Sequence, residues 1–347
     1  MRDPVSCFGR AAFGLALAFC VPAAALAAAP ASQAEPAVQE MIDALAKANK
    51  AVVGVEVVAA EGARSAESLG KRRSGSGVVI GSDGLILTIG YLMLEADTIQ
   101  VVTQDDRTVP ARAVAYDIAT GFGLVQPLLP LRGISPVALG SHADLQTGEP
   151  VIAAMGGEDG GVAMTQVVSR RPFSGYWEYH IEAALFTSPP IGNHSGAPLF
   201  NRKGELLGIG SLLVMDAAGG NRRLPGNMFV PVDLLRPILD ELRSTGSTRK
   251  SQRPWLGLTS SEQGGRVQVV RVNEEGPARG AGLKPGDVIL AVDGTTVANL
   301  ESFYKKVWDR AQPDGEVQLT VLQGAEVRTI TLKAVDRMTT MRKPGGI

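Results

Sequence analysis

Residues 75–88 read GSGVVIGSDGLILT. Two short runs of Val, Ile and Leu stand on either side of Ser82-Asp83-Gly84, a turn signal of the hairpin kind. The same grammar extends outward in both directions. AVVGVEVV (51–58), TIQVVTQ (98–104), TVPARAVAYD (108–117), PVIAAMG (150–156), VAMTQVVSR (162–170), APLFNRKGELLGIGSLL (197–213) and NMFVPV (227–232) are brief apolar runs broken by Gly, Asp, Asn and Pro. Many short strands with no intervening helix mean an all-β barrel or sandwich, expected over residues 51–245. PVDLLRPILDELR (231–243) reads as its closing helix.

The chain has 347 residues, 45% of them hydrophobic and 20% charged, enough for one large core or two ordinary ones. Lys and Arg total 34 against 35 Asp and Glu, a formal net charge of -1 with no long run of either sign, so a nucleic-acid partner is not expected. Arg2 and Arg10 precede an apolar, Ala-rich stretch interrupted by Pro22 and ending in small residues. Residues 1–29 therefore read as a secretory signal peptide, which implies an exported protein, or a membrane-anchored one if the segment is not cleaved. Cys7 and Cys20 both fall inside it, leaving the mature chain without a disulfide or thiolate site. Residues 30–50 form a connecting segment in which Val38, Met41, Ile42 and Leu45 repeat at helical spacing.

A polar stretch with Gly and Pro, 246–254, reads as a linker. Beyond it, 255–336 form a smaller α+β unit with strands WLGL, VQVVRV, DVILAVDG, VQLTVL and VRTITL and the helix NLESFYKKVWD. Residues 337–347 show no periodic pattern and read as a mobile tail, and GGEDGG (156–161) as a mobile loop. Three scattered histidines, His142, His180 and His194, form no recognisable metal site, and no phosphate-binding loop appears, so no cofactor is expected.

GSGVVIGSDGLILT, GNHSGAPLFNRKGELLGIG (192–210) and NMFVPVDLLRPILDEL (227–242) resemble the HtrA/DegP family of bacterial trypsin-like envelope proteases. WLGL with GPARGAGLKPGDVILAVDGTTVANLESF (276–303) resembles a bacterial PDZ domain. The resemblance implies a mainly β chain, a chymotrypsin-like double β-barrel of two six-stranded barrels followed by one PDZ domain. By analogy with the family it also implies a homotrimer. The family's nucleophile turn is Gly-Asn-Ser-Gly-Gly-Pro-Leu; here Ser195, Gly196, Pro198 and Leu199 fit, Ala197 replaces a Gly, and His194 intrudes before the serine. The family's general base falls on Tyr91 in LTIGYLM, and its orienting Asp on Gly121 in TGFGLV. Tyrosine, with an ordinary pKa of about 10, is a poor base at neutral pH. Asp117 is close to the missing Asp but reads as a turn residue, and His194, adjacent to Ser195, is expected to point away from it.

The resemblance further implies that Trp255, Leu256, Gly257 and Leu258 present backbone N–H groups to a peptide's terminal carboxylate, with Phe303, Tyr304 or Val307 lining the side-chain pocket. Leu256 reads equally well as a core residue. Two functions follow: a catalytically silent binding factor for C-terminal peptides or exposed segments of envelope proteins, or a divergent active serine endopeptidase that uses Ser195 with a base from outside the family's positions.

Overall fold

The computed structural model describes residues 34–340 except 159, 221, 310 and 311. The expected signal peptide, both cysteines and most of the tail lie outside the described residues. Helix α1 (Ala34–Lys50) leads into a closed six-stranded barrel of β1 (Val52–Ala59), β2 (Arg72–Val79), β3 (Ile86–Ile89), β4 (Ala96–Val102), β5 (Thr108–Tyr116) and β6 (Phe122–Pro127), with the short helix α2 (Ala66–Leu69) between β1 and β2. The neighbour order is β1-β2-β3-β6-β5-β4. A second closed barrel holds β7 (Pro150–Met155), β8 (Gly161–Gly175), β9 (Tyr179–Ser188), β10 (Pro198–Phe200), β11 (Leu206–Val214) and β12 (Gly226–Pro231). Among the described residues no helix is long and apolar enough to cross a membrane.

The stretch 75–88 forms the β2–β3 hairpin, with Val78 opposite Leu87 and Val79 opposite Ile86. Asp83 accepts a bond from the Leu85 N–H at 3.2 Å, and Gly84 takes φ 83, the left-handed conformation that glycine adopts without steric cost. All four of these hydrophobic residues are buried in the core that the two barrels share. Gly75 of the same stretch serves the junction between barrels. A Cβ on Gly75 would stand 2.5 Å from the Ser195 carbonyl oxygen, and the Ser76 N–H donates to that oxygen at 2.8 Å.

The expected helix over 231–243 is not continuous. A single 3-10 turn (Val232–Leu234) precedes α3 (Leu239–Thr245), because Pro237 has no N–H to continue a helix and biases Arg236 away from helical geometry. The segment 246–254 is not a solvated spacer either. Thr248 and Ser251 are buried and their hydroxyls both donate to Asp117 Oδ1 at 2.5 Å, tying the segment to the first barrel. Gly156, in the stretch read as a mobile loop, packs on Val53 and Gly54 and donates its N–H to Ser76 Oγ at 3.0 Å.

The PDZ domain comprises β13 (Pro254–Trp255), β14 (Leu258–Gln263), β15 (Arg266–Val272), the short α4 (Pro277–Gly280), β16 (Val288–Val292), β17 (Thr295–Thr296), α5 (Leu300–Trp308), β18 (Glu316–Gln323), β19 (Glu326–Lys333) and β20 (Val335–Asp336). Its sheet runs β14-β15-β16-β18-β19, which leaves β14 at an edge, while β13 pairs with β20. Asn299 caps α5 by accepting from the Ser302 N–H, and Ser302 Oγ accepts from the Asn299 N–H in return. Leu300, Phe303, Tyr304 and Val307 lie buried on one face of α5 in a core with Val267, Ile289 and Leu319. The first residues of the expected tail are ordered: Arg337–Thr340 make one helical turn, and the Arg337 N–H donates to Arg253 O at 3.3 Å.

Candidate functional site

Strand β3 delivers Tyr91 to Ser195. Immediately after Ile89 the chain makes a 3-10 turn, Gly90–Met93, anchored by the Gly90 N–H on Gly121 O at 2.7 Å. The Tyr91 hydroxyl then lies 2.7 Å from Ser195 Oγ and 2.9 Å from the Ser211 carbonyl oxygen. A phenol carries one proton and a carbonyl none, so Tyr91 donates to Ser211 and Ser195 donates to Tyr91. This is the hydrogen-bond direction a nucleophile and its base would have. The acid–base chemistry is wrong for it: burial pushes the Tyr91 hydroxyl up to about 12, and the bond with Ser195 offsets this only in part. A neutral phenol holding the serine proton in place does not remove it.

At Gly121 the backbone takes φ 85, and a Cβ there would stand 3.2 Å from the Tyr179 hydroxyl. Tyr179 donates to Thr120 O at 2.6 Å, so an aromatic side chain from β9 fills the space where an orienting carboxylate would project. Asp117 is a turn and linker anchor: Thr120 donates to its Oδ2 through Oγ1 at 2.6 Å and through N–H at 2.9 Å, while Oδ1 takes the two linker hydroxyls. In the nucleophile turn, the His194 N–H donates to Gly192 O at 2.9 Å, Gly196 N–H to Gly210 O at 2.8 Å and Ala197 N–H to His194 O at 3.1 Å. Three amides of the turn are thereby committed to the fold. The His194 ring also turns back, with Nδ1 2.9 Å from Gly192 O and not on Ser195.

The PDZ loop is the second site. Gly257 takes φ 81 with its Cα side pressed on Gly276, where a Cβ would meet the Gly276 Cα at 2.8 Å. That bend turns the N–H groups of Leu256, Gly257 and Leu258 toward one point. The group they meet is the carboxylate of Glu178, from the β8–β9 hairpin, at 3.4, 3.1 and 3.1 Å. Leu256 and Leu258 are both buried in the PDZ core, and Trp255 pairs with Val335 outside this N–H cup. Glu178 is buried, and burial raises its carboxyl to about 7 against the opposing pull of Arg337 and of the three N–H donors.

Residues 75–209 match the trypsin-like peptidase domain and 254–334 the PDZ domain. A probable periplasmic serine endoprotease, DegP-like, of Halomonas elongata is 31% identical over 295 residues, covering 80% of this chain and 59% of the relative. A protein of the same description from Brucella suis is 29% identical over 285 residues, 75% of this chain and 52% of the relative. The chain spans just over half the length of these curated relatives. In structure it is similar to the HtrA-type protease AlgW with tripeptide, at TM-score 0.52 and 23% identity over 88% of this chain and 98% of that one. It is likewise similar to the serine endoprotease from Yersinia pestis, at TM-score 0.52 and 22% identity over 85% of this chain and 97% of that one. This is an HtrA-type chain with one PDZ domain.

The other two histidines of this HtrA-type chain lie away from Ser195. His142 pairs through Nδ1 with Asp233, and His180 Nδ1 sits 2.9 Å from Ser174 Oγ on the neighbouring strand. Where the sequence suggests no metal cluster, the fold brings ligand atoms of His180, Glu182 and Glu301 within 4.8 Å of one another, across the junction of β9 and α5. The cation among them is already there: Lys305 Nζ lies 2.7 Å from Glu182 and 2.6 Å from Glu301. Glu178 is the site residue that sequence reasoning misses. Its only local signal is an acidic residue beside two aromatics in GYWEY (175–179), and nothing there points to an acceptor site 79 residues away.

Proposed function

We propose that this HtrA-type chain is a periplasmic pseudoprotease that acts as a binding factor, taking C-terminal peptides or exposed segments of envelope proteins through its PDZ domain. The observation that carries the first half is the Ser195–Tyr91 hydrogen bond, in which a phenol raised to about 12 stands in the place of a base. Gly121, occluded by Tyr179, supports it from the other side. The second half is supported by the convergent N–H groups of 256–258 around Gly257, and by similarity to HtrA-type structures solved with a tripeptide and a decapeptide. The periplasmic location follows the relatives' descriptions and the N-terminal sequence.

The test is active-site labelling of the purified full chain with a fluorophosphonate, with Ser195→Ala as the control, alongside digestion of an unfolded casein-like substrate. The expected result is equal background labelling and no digestion in both proteins. Labelling or turnover that disappears with Ser195→Ala would establish the active endopeptidase in place of the binding factor.

A further inference from the structure

Three features mark how a PDZ-type groove holds a peptide end: N–H groups converging on a carboxylate, a backbone carbonyl paired to a free sheet edge, and a flanking helix. In this chain one hairpin of the barrel supplies the ligand side of all three. Glu178 places its carboxylate on the N–H groups of Leu256, Gly257 and Leu258. Tyr176 O accepts from the Ser260 N–H of β14, the edge strand, at 3.0 Å. From α5 the Tyr304 hydroxyl donates to Gly175 O at 2.8 Å, and from beyond β20 Arg337 Nη1 donates to Trp177 O at 2.9 Å. Glu178 itself holds φ 59, a conformation uncommon for a residue with a Cβ and kept only where surroundings over-determine it.

We infer that Glu178 is the resident ligand of the PDZ carboxylate loop, and that an outside C-terminal carboxylate reaches the loop only by displacing the β8–β9 hairpin. The second clause rests on the peptide-binding reading proposed above; the first stands on geometry alone. The charged groups facing Glu178 are consistent with an occupant that can leave. Among the described residues Arg337 is the cation acting on it, Tyr304 faces it from α5 as a neutral phenol, and the buried anion is left short of compensation, as its raised pKa reflects.

The experiment compares the full chain as wild type, Glu178→Ala, Glu178→Gly and Glu178→Gln. Glycine accepts φ 59 without strain, so it keeps the hairpin tip foldable while removing the carboxylate. Hydrogen exchange over residues 255–260 reads loop occupancy with no peptide present. Titration with a fluorescent decapeptide ending in an apolar residue, as free acid and as amide, reads competition. The expected result is faster exchange at 256–258 in the Ala and Gly variants, with barrel protection retained. The free-acid peptide should bind those variants about tenfold tighter than wild type, as follows if roughly a tenth of wild-type loops are open. Glu178→Gln, which keeps an acceptor oxygen, should stay docked, with protected 256–258 amides and free-acid affinity no tighter than wild type. Unchanged exchange in both the Ala and Gly variants overturns the inference, as does equal free-acid affinity across wild type and variants. A loop that opens on substitution yet binds neither peptide upholds Glu178 as the resident ligand and overturns the peptide-binding reading.

Discussion

At the nucleophile turn of the second barrel and at the carboxylate loop of the PDZ domain, a side chain of this protein holds the decisive position: Tyr91 stands on Ser195 where a base would, and Glu178 fills the cup of N–H groups. They differ in where that side chain comes from. Tyr91 reaches Ser195 from a turn that is continuous with β3, locked by Gly90 on Gly121 and buried in the shared core. Glu178 reaches Gly257 from the tip of a hairpin on the neighbouring domain, held there by polar contacts with the loop, Tyr304 and Arg337. On the function proposed above, the first site is silenced by substitution. Docking occupies the second reversibly.

The largest effect separating the two concerns repair. If the cleft lacked only its base and orienter, Tyr91→His with Gly121→Asp would bring back proteolysis. We expect turnover to stay at the level of Ser195→Ala. An Asp at 121 must adopt φ 85, with its Cβ 3.2 Å from the Tyr179 hydroxyl, and the turn still commits the His194 N–H to Gly192. Without a working base–orienter pair a site of this kind retains only about 10³–10⁴-fold rate enhancement over uncatalysed hydrolysis. Casein digestion by the double variant at a rate well above the Ser195→Ala control would show instead that the cleft is one step from activity.

A middle-sized effect is expected at Gly257. Gly257→Val forces a branched side chain into φ 81 and onto the Gly276 Cα. Backbone strain alone is worth about 1–3 kcal/mol, and the contact adds to it. Urea unfolding should show an earlier PDZ transition, and exchange should show the 256–258 amides released from Glu178. The Tyr91 turn, residues 90–93, should keep its protection. Loss of protection in both places would mean that the two sites are not independent.

What was legible in the sequence follows the range of the interactions. Hairpins such as Val78–Leu87 are set by alternation and a local turn, and the PDZ strands by apolar runs between glycines, so both could be read directly. Spacing from a strand singles out Tyr91 and Gly121 in the sequence, and the fold brings the Tyr91 hydroxyl to 2.7 Å from Ser195 Oγ. What fills the space at those positions could not: Tyr179 meets Thr120 from 59 residues away, and Thr248 reaches Asp117 from 131 residues away. A linker composition rich in Ser, Thr and Gly says polar and turn-forming, which describes a docked segment bonded to a buried Asp as well as a solvated one. Pro237 is the opposite case, a local breaker that outweighs the helical pattern around it.

The smallest predicted effect is the pH dependence of Glu178 docking, and its sign is opposite to the usual carboxylate case. The docked carboxyl sits at about 7 where the unperturbed group has 4.5, with burial as the leading cause. A raised folded-state value means that the docked form favours the proton, so its stabilising contribution is complete below 4.5 and fades as pH rises through about 7. The shift corresponds to at most on the order of 3 kcal/mol between these limits. Glu178→Gln has no proton to lose and supplies the reference. Thermal unfolding of both proteins from pH 5 to pH 8 should show the wild type gaining relative to Glu178→Gln as pH falls and losing as it rises. A flat difference would mean that the three N–H groups and Arg337 fully compensate the buried charge. A difference of opposite slope would mean that they over-compensate it, and the hairpin would then hold its loop most tightly in alkaline conditions, where an outside carboxylate is here expected to find it most open.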